Sequence, residues 1–446
     1  MTTDDEQTIP YAPVACPGLD FQSFRILRIF VQLSLSKLAF FRNLWFRSAA
    51  RLKPMLPSAG AAAGATAMTP SRIAAIIAMI DEHTITGTMS HDHVTAFCGM
   101  INAHCHDGTE EGVGSIRDYK LMRRLGNGSG GRVVMAQHRS TGQTVAVKTI
   151  HAHRRRRRAA KRRPDNIGEL LKEACFLAAC RGHPYLVGLH GVLRGPGAKE
   201  HCLVMDYVGP SLNDALNRHF EEHGRGFPEA DVRRVMRQLL TGAAAMHGRG
   251  IIHRDIKPTN ILVDKNHKVV KLCDYGSAMP TAKPELCDYG QVGTVPYMAP
   301  EVLLEKPDYD ERVDSWSLGC VMAELLSGES PFDSVNTADT LRKIFDALGV
   351  PGEKTWQGFK SKLLADKVQQ WRARQQEAQR KDRLREMFPE ELLPSEGFHV
   401  LKGLLTCNPA KRLTVAAALR CPWFKVDDAP VSRSSGGTKS ARRTAL

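Results

Sequence analysis

Residues 253–276 read HRDIKPTNILVDKNHKVVKLCDYG. The stretch follows an apolar helical pattern, Val235–Met246, and opens with a polar loop. Ile261-Leu262-Val263 and the alternating run Lys268–Leu272 then read as two short strands. The second ends in Asp274-Tyr275-Gly276. Each loop residue type carries a chemistry. An Asp beside a hydroxyl can orient it and accept its proton, as Asp255 would. Lys257 can stabilise negative charge, and Asn260 offers the hard oxygen that Mg²⁺ prefers.

Working upstream, residues 126–133 read GNGSGGRV. The glycines at 126, 128 and 131 let backbone approach a phosphate and expose N–H donors. A Gly-x-Gly-x-x-Gly can equally open a dinucleotide-binding helix. Here it leads instead into VVMAQHRSTGQTVAVK, a strand, a turn at Thr141-Gly142 and a second strand ending in Lys148. A lysine closing an apolar strand needs a carboxylate. Glu173, on the helical stretch 166–180, is the natural partner and Glu169 the next candidate.

Downstream lie Met298-Ala299-Pro300-Glu301 and Asp314-Ser315-Trp316-Ser317-Leu318-Gly319. With these six motifs in order, the sequence resembles a eukaryotic protein kinase over about residues 119–424. The resemblance implies a bilobal α+β fold, a β-rich N-lobe and a helical C-lobe, and ATP-dependent phosphate transfer to protein Ser/Thr hydroxyls, with Lys257 favouring Ser/Thr over Tyr as acceptor. It implies that Asp255, Lys257 and Asn260 are catalytic and that Asn260 and Asp274 hold Mg²⁺. Leu125, Gly126, Asn127, Gly128, Ser129, Gly130, Gly131 and Val133 would cover the nucleotide, with Ala146 and Lys148 beneath. Met205, Asp206, Tyr207 and Val208 would form the hinge that reads adenine through its backbone. Glu301 and Arg412 would form a structural ion pair. Tyr275, in place of the usual Phe, would stack with His253, Leu177 and Leu189 in a column anchored by Asp314, and its hydroxyl needs a partner if buried. A weakly catalytic nucleotide-binding scaffold is the alternative, but such chains usually lose the Lys148, Asp255 or Asp274 type of residue.

The five residues LCDYG occur twice, at 272–276 and 286–290. Asp274 stands 19 residues after Asp255 and 27 before Glu301, the family's usual spacing. Asp288 would leave only 13, and Pro284 argues against a strand before it. Asp274 is therefore the metal ligand, and the second copy falls in the activation loop. There, Tyr289 stands where cyclin-dependent kinases carry a phosphorylated Thr. Three readings stand: Tyr289 is phosphorylated and meets Arg254, Asp288 supplies a fixed charge, or packing alone orders the loop. Ser129 is a candidate inhibitory phosphosite.

Residues 341–358 and the insert after them resemble the cyclin-dependent kinase-like (CMGC) group. Three positions depart from it. IGELLKE, 167–173, lacks the cyclin-contacting signature, Met298 replaces an Arg, and Gly130 replaces an aromatic. Dependence on a cyclin-like activator and preference for Pro after the target residue are thereby left open.

The remaining chain carries weaker signals. Its 446 residues have a net charge of +15, 42% hydrophobic and 24% charged residues, ordinary for a globular protein apart from the charge. Eleven cysteines without a CxxC pair suggest reduced thiols in an intracellular protein, nuclear or cytoplasmic. Cys273 reads as a reactive thiol or a small buried residue. Asp4, Asp5 and Glu6 do not suit a secretory signal. Residues 1–57 include a basic amphipathic stretch, 21–53, with seven Lys/Arg and no acid, suited to peripheral membrane contact or to packing on the folded domain. Residues 58–118 read as a linker and a helical hairpin, with a His/Cys cluster (His83, His91, His93, Cys98, His104, Cys105, His106) that suits zinc or a polar helix face. Residues 154–163 hold eight Lys/Arg, which suits a solvated loop, a nuclear localisation signal or an anionic docking surface. No module suited to reading nucleic-acid sequence is present. Residues 425–446 read as a disordered basic tail.

Overall fold

A computed structural model describes residues 68–105, 114–128, 131–150, 167–195, 197, 200–282, 292–306, 309–352, 356, 369–372 and 383–425. The basic stretch 21–53, His106, the basic run 154–163, Ser129, Gly130, Asp288, Tyr289 and residues 426–446 of the tail lie outside these residues, as do the side chains of Asn127 and Ile150.

The N-lobe is a five-stranded sheet: β1 Tyr119–Gly128, β2 Gly131–His138, β3 Thr144–Ile150, β4 Leu189–Arg194 and β5 His201–Asp206, in the order β1-β2-β3-β5-β4 with every neighbouring pair antiparallel. The alternation of β3 shows how the sheet works. Successive side chains take opposite faces. Val145 and Val147 join Val134, Ala136, Cys202 and Val204 in a small outer core. Ala146 faces the main core, and Lys148 shares its face.

Two helices precede the sheet, α1 Pro70–Ile85 and α2 His91–Asn102. Both start cleanly: Thr69 caps α1 with Pro at its first turn, and Ser90 with His93 forms a capping box on α2. Ile73, Ile76, Ile77 and Ile80 recur at helical spacing and are all buried in the main core. The histidines serve the turn between the helices. His83 hydrogen-bonds Thr88 Oγ1 at 2.8 Å and packs against His93 in a tilted arrangement with ring centroids 4.0 Å apart. Among the described residues no group of three His, Cys, Asp or Glu side chains is gathered for a metal.

Helix α3, Ile167–Cys180, crosses behind the sheet. The C-lobe follows with α4 Leu212–His223, α5 Glu229–Gly248, β6 Ile251–Ile252, β7 Ile261–Val263, β8 Val270–Leu272, β9 Met279–Pro280, α6 Pro300–Leu303, α7 Arg312–Ser327, α8 Thr337–Leu348, α9 Leu384–Met387, α10 Ser395–Leu404 and α11 Val415–Ala418. Helix α5 begins after Pro228, with Glu229 and Asp231 in its first turn favouring the positive helix end. Its buried stripe is Val232, Val235, Met236, Leu239, Leu240, Ala243 and Met246. Helix α7 is buried from Val313 to Leu326, the all-round burial of a central helix. The hairpin β7–β8 carries the loop 253–260 before it and Asp274 after it. No helix of the described residues is long and apolar enough to cross a membrane.

Candidate active site

Lys148 is 3% exposed. Its ammonium lies 2.7 and 2.9 Å from the two oxygens of Glu173 and 2.9 Å from Asp274 Oδ1. Burial works against its charge, but the two carboxylates outweigh it and hold the lysine above its usual range. Lys148 does not end its strand, since β3 runs on to Ile150, but Glu173 is the carboxylate partner that this buried lysine requires. Glu169 instead pairs with Lys172 at 2.8 Å and is mostly exposed. Burial pushes the Glu173 carboxyl up, against the pull of Lys148.

Asp274 sits at φ 62, a left-handed conformation that a side chain rarely adopts. The strand β8 before it and the buried Tyr275 after it hold this turn. The Tyr275 ring is 5.6 Å from that of His253, and its hydroxyl donates to the carbonyls of Val187 (3.2 Å) and Leu272 (3.4 Å). Leu177 and Leu189 are buried in the same core. Asp314, fully buried, accepts from His253 N, Arg254 N and His247 Nε2 at 2.9, 2.9 and 2.8 Å. Burial raises its carboxyl, but these donors and the two histidines outweigh that and hold it below the usual range. Asp314 therefore fixes the backbone at the start of the 253–260 loop.

Within that loop Asp255 accepts from Lys257 Nζ at 2.9 Å, Asn260 Nδ2 at 3.0 Å and Thr294 Oγ1 at 2.7 Å. Lys257 also donates to Thr294 at 2.6 Å. Thr294 was not legible in the sequence, because nothing local marks it. Only the return of the chain after the activation loop brings it to Asp255. Gly293, at φ 117, allows this return, since a Cβ there would lie 2.5 Å from the Arg254 carbonyl. Arg254 itself donates to the Ser277 carbonyl at 2.6 Å and the Tyr309 hydroxyl at 3.1 Å.

Between the lobes, Leu125, Val133 and Val208 are partly buried against the core that holds Ala146 and Met205. Leu262 and Cys273, not singled out in the sequence as part of this slot, join them from β7 and from the residue after β8. The pairing of Val133 with Lys148 and of Ala146 with Met205 sets these side chains at fixed register. Gly126, Gly128 and Gly131 lie at the β1–β2 end, where Gly128 pairs with Gly131. The Asp206 N–H donates to Gly188 O at 3.1 Å, while its carboxylate binds His190 at 3.0 Å and Lys271 at 3.0 Å. Burial and the charge of Asp274 push the Cys273 thiol up, which favours its protonated form.

Glu301 and Arg412 meet in a bidentate pair, 2.6 and 2.8 Å, both buried. This pair lies beneath α6, away from the cleft residues.

The donor set fits a hard cation. Asn260 uses its amide N–H groups on Asp255, which leaves its amide oxygen, and Asp274 adds a carboxylate. A cation and its phosphates would meet Lys148 on one side and Asp255 on the other.

The chain matches the protein kinase domain model over residues 119–424. It is 43% identical over 335 residues to "Putative cyclin-dependent kinase F-2" of Oryza sativa subsp. japonica, covering 73% of this chain and 95% of that protein. It is 30% identical to cyclin-dependent kinase B2-2 of Arabidopsis thaliana, covering 73% of this chain and 98% of that one. It is 33% identical to serine/threonine-protein kinase ppk23 of Schizosaccharomyces pombe, covering 70% and 73%. The chain belongs to the eukaryotic protein kinase family, as a serine/threonine kinase of the cyclin-dependent kinase-like group.

Proposed function

We propose that Lys148, Asn260 and Asp274 hold the ATP phosphates and their Mg²⁺ while Asp255 orients the acceptor hydroxyl and accepts its proton. The observation that carries this reading is the arrangement in which Lys148 is shared by Glu173 and Asp274, while Asp255 is braced by Lys257, Asn260 and Thr294. Mg²⁺, when bound, neutralises phosphate charge. The chain's own groups do the rest. Lys148 positions the non-transferred phosphates, Lys257 stabilises charge on the transferring group, and the glycine-rich turn 126–131 supplies N–H donors. Leu125, Val133, Ala146, Met205, Val208 and Leu262 form the apolar slot for adenine, with the backbone of 205–208 reading its edge.

Protein Ser/Thr hydroxyls are the acceptors. Met298 in place of Arg supports a substrate preference not restricted to Pro after the target residue. The names of the relatives suggest a cyclin-like activator, whereas the IGELLKE helix does not support one. The basic run at 154–163 supports a nuclear pool beside a cytoplasmic one. Asp288 and Tyr289 are the activation-loop residues whose charge or phosphorylation would meet Arg254.

Transfer from labelled ATP to a generic basic protein, with Asp274→Asn as control, tests the core of this reading. Asp274-dependent transfer is expected, and equal signal from both proteins would remove it.

A further inference from the structure

We propose that the hairpin α1–α2 is a built-in positioning device that seats α3, so that Glu173 reaches Lys148 without a second protein on that helix. The proposal rests on the reading of Lys148 and Glu173 above.

Helix α3 is buried on every side. From Leu170 to Cys180 all residues but Lys172 are buried. A helix lying on a sheet is covered on one face by the sheet, so burial all round requires a second cover. The hairpin supplies it with the isoleucine ridge of α1 and with Val94, Phe97 and Ile101 of α2, all in the core that also holds α3.

Four specific contacts set its position. Gly168, near the start of α3, lies so close to α1 that a Cβ there would stand 2.3 Å from Thr84 Oγ1. Asp81 binds Lys172, the residue before Glu173, at 3.0 Å. Asn102 is buried and bonds both backbone groups of Val192, donating to its carbonyl at 3.0 Å and accepting from its N–H at 2.8 Å. Because β4 is the edge strand, Asn102 satisfies groups that would otherwise face an open edge. At the other end, Pro70 Cβ lies 3.0 Å from where a Cβ on Gly250 would stand, beside Thr281 at the end of β9. The hairpin therefore spans from the sheet edge, across α3, to the strand that follows Asp274. Of the two groups that hold Lys148, Glu173 stands on the helix that the hairpin covers. A separate activator pressing on this face of α3 would have to displace residues of the same chain.

The test uses the purified full chain with no added protein. The readouts are hydrogen exchange of 167–180, exchange of 312–327 as a control for the global fold, and transfer from labelled ATP. Gly168→Ala raises helix propensity but drives α3 off Thr84. It is expected to speed exchange in 167–180 alone and to cut kcat/KM for ATP by about tenfold or more. Adding Thr84→Ala, which removes the clashing atoms, is expected to restore the rate to within about threefold. Asp81→Asn, which keeps the packing, provides a milder loss of about two- to fivefold should Gly168→Ala fail to fold. Wild-type exchange and rate in these variants, or a loss that Thr84→Ala does not restore, would overturn the proposal. Glu173→Gln separates the two readings. If it leaves transfer intact, the Lys148–Glu173 reading fails. If it abolishes transfer while the hairpin variants do not affect it, the hairpin proposal alone fails.

Discussion

The hydroxyl of Tyr275 shows how little a single polar atom need disturb a core when carbonyls stand ready. Its bonds to the two carbonyls, at 3.2 and 3.4 Å, are long, the Cys180 thiol is a further partner, and the residue is 1% exposed. Tyr275→Phe is expected to cost about 1 kcal/mol in urea unfolding and to leave transfer within a few-fold of wild type. Thr294→Val is the opposite case. It is nearly isosteric but removes the donor to Asp255 and the acceptor for Lys257. Its kcat should fall by about ten- to a hundredfold, while the stabilisation by Mg-ATP in a thermal shift stays unchanged, because the nucleotide-side groups are untouched. Asp206 sets a pH dependence. Burial pushes its carboxyl up, but hydrogen bonds from His190 and Lys271, the Lys271 charge and the Gly188 N–H outweigh this and bring it down to about 2. A depressed carboxylate lends stability that is complete above the ordinary carboxylate range and is lost as pH falls toward 2. Asp206→Asn should therefore lower stability by about 1–2 kcal/mol at neutral pH and flatten the decline between pH 4 and 2. A mutant curve parallel to wild type across that window would show that Asp206 does not carry it.

Elements differed in how far the chain announced them. The hairpin β2–β3 was legible because Gly-rich and Thr-Gly turns bracket runs of Val and Ala that alternate. The 253–276 stretch was legible because six motifs agree in order. The isoleucine spacing of α1 likewise gave away a helical face. What that face packs on was not legible, because amphipathicity names a buried side and not its partner. For a related reason the sequence left zinc and a polar helix face both open for the His/Cys cluster. Spacing along the sequence does not show that His83 and His93 close a turn while Cys98 and Cys105 face the core. The roles of Thr294 and Leu262 were not legible because they arise only when distant elements return to the site. Gly209 was equally silent. A Cβ there would stand 2.1 Å from the Val263 carbonyl, where the chain leaving the hinge crosses β7. Backbone cannot yield as a side chain can, so Gly209→Ala should destabilise by roughly 1–3 kcal/mol, read by urea unfolding, and should raise KM for ATP by shifting 205–208.

At the scale of the molecule, the chain after the activation loop must be returned to the C-lobe core, and Arg412 does this from more than a hundred residues away in sequence. Its guanidinium holds Glu301 bidentately, donates to the carbonyls of Arg312, Thr406 and Cys407, and lies 5.2 Å from the Trp316 ring centroid. All its reach is inside the protein, so none of these bonds is replaced by water if it is lost. Arg412→Met should leave the Glu301 carboxylate buried and unpaired, at a cost of about 3–5 kcal/mol. Glu301→Gln should cost less, because the guanidinium keeps its three carbonyls. The double variant Glu301→Gln, Arg412→Met removes the stranded charge, so its loss should fall clearly short of the sum of the singles. Urea unfolding of the four proteins measures this directly. Additive losses would mean that the pair does not act as a unit, and that the fold below the cleft is held by the surrounding apolar core alone.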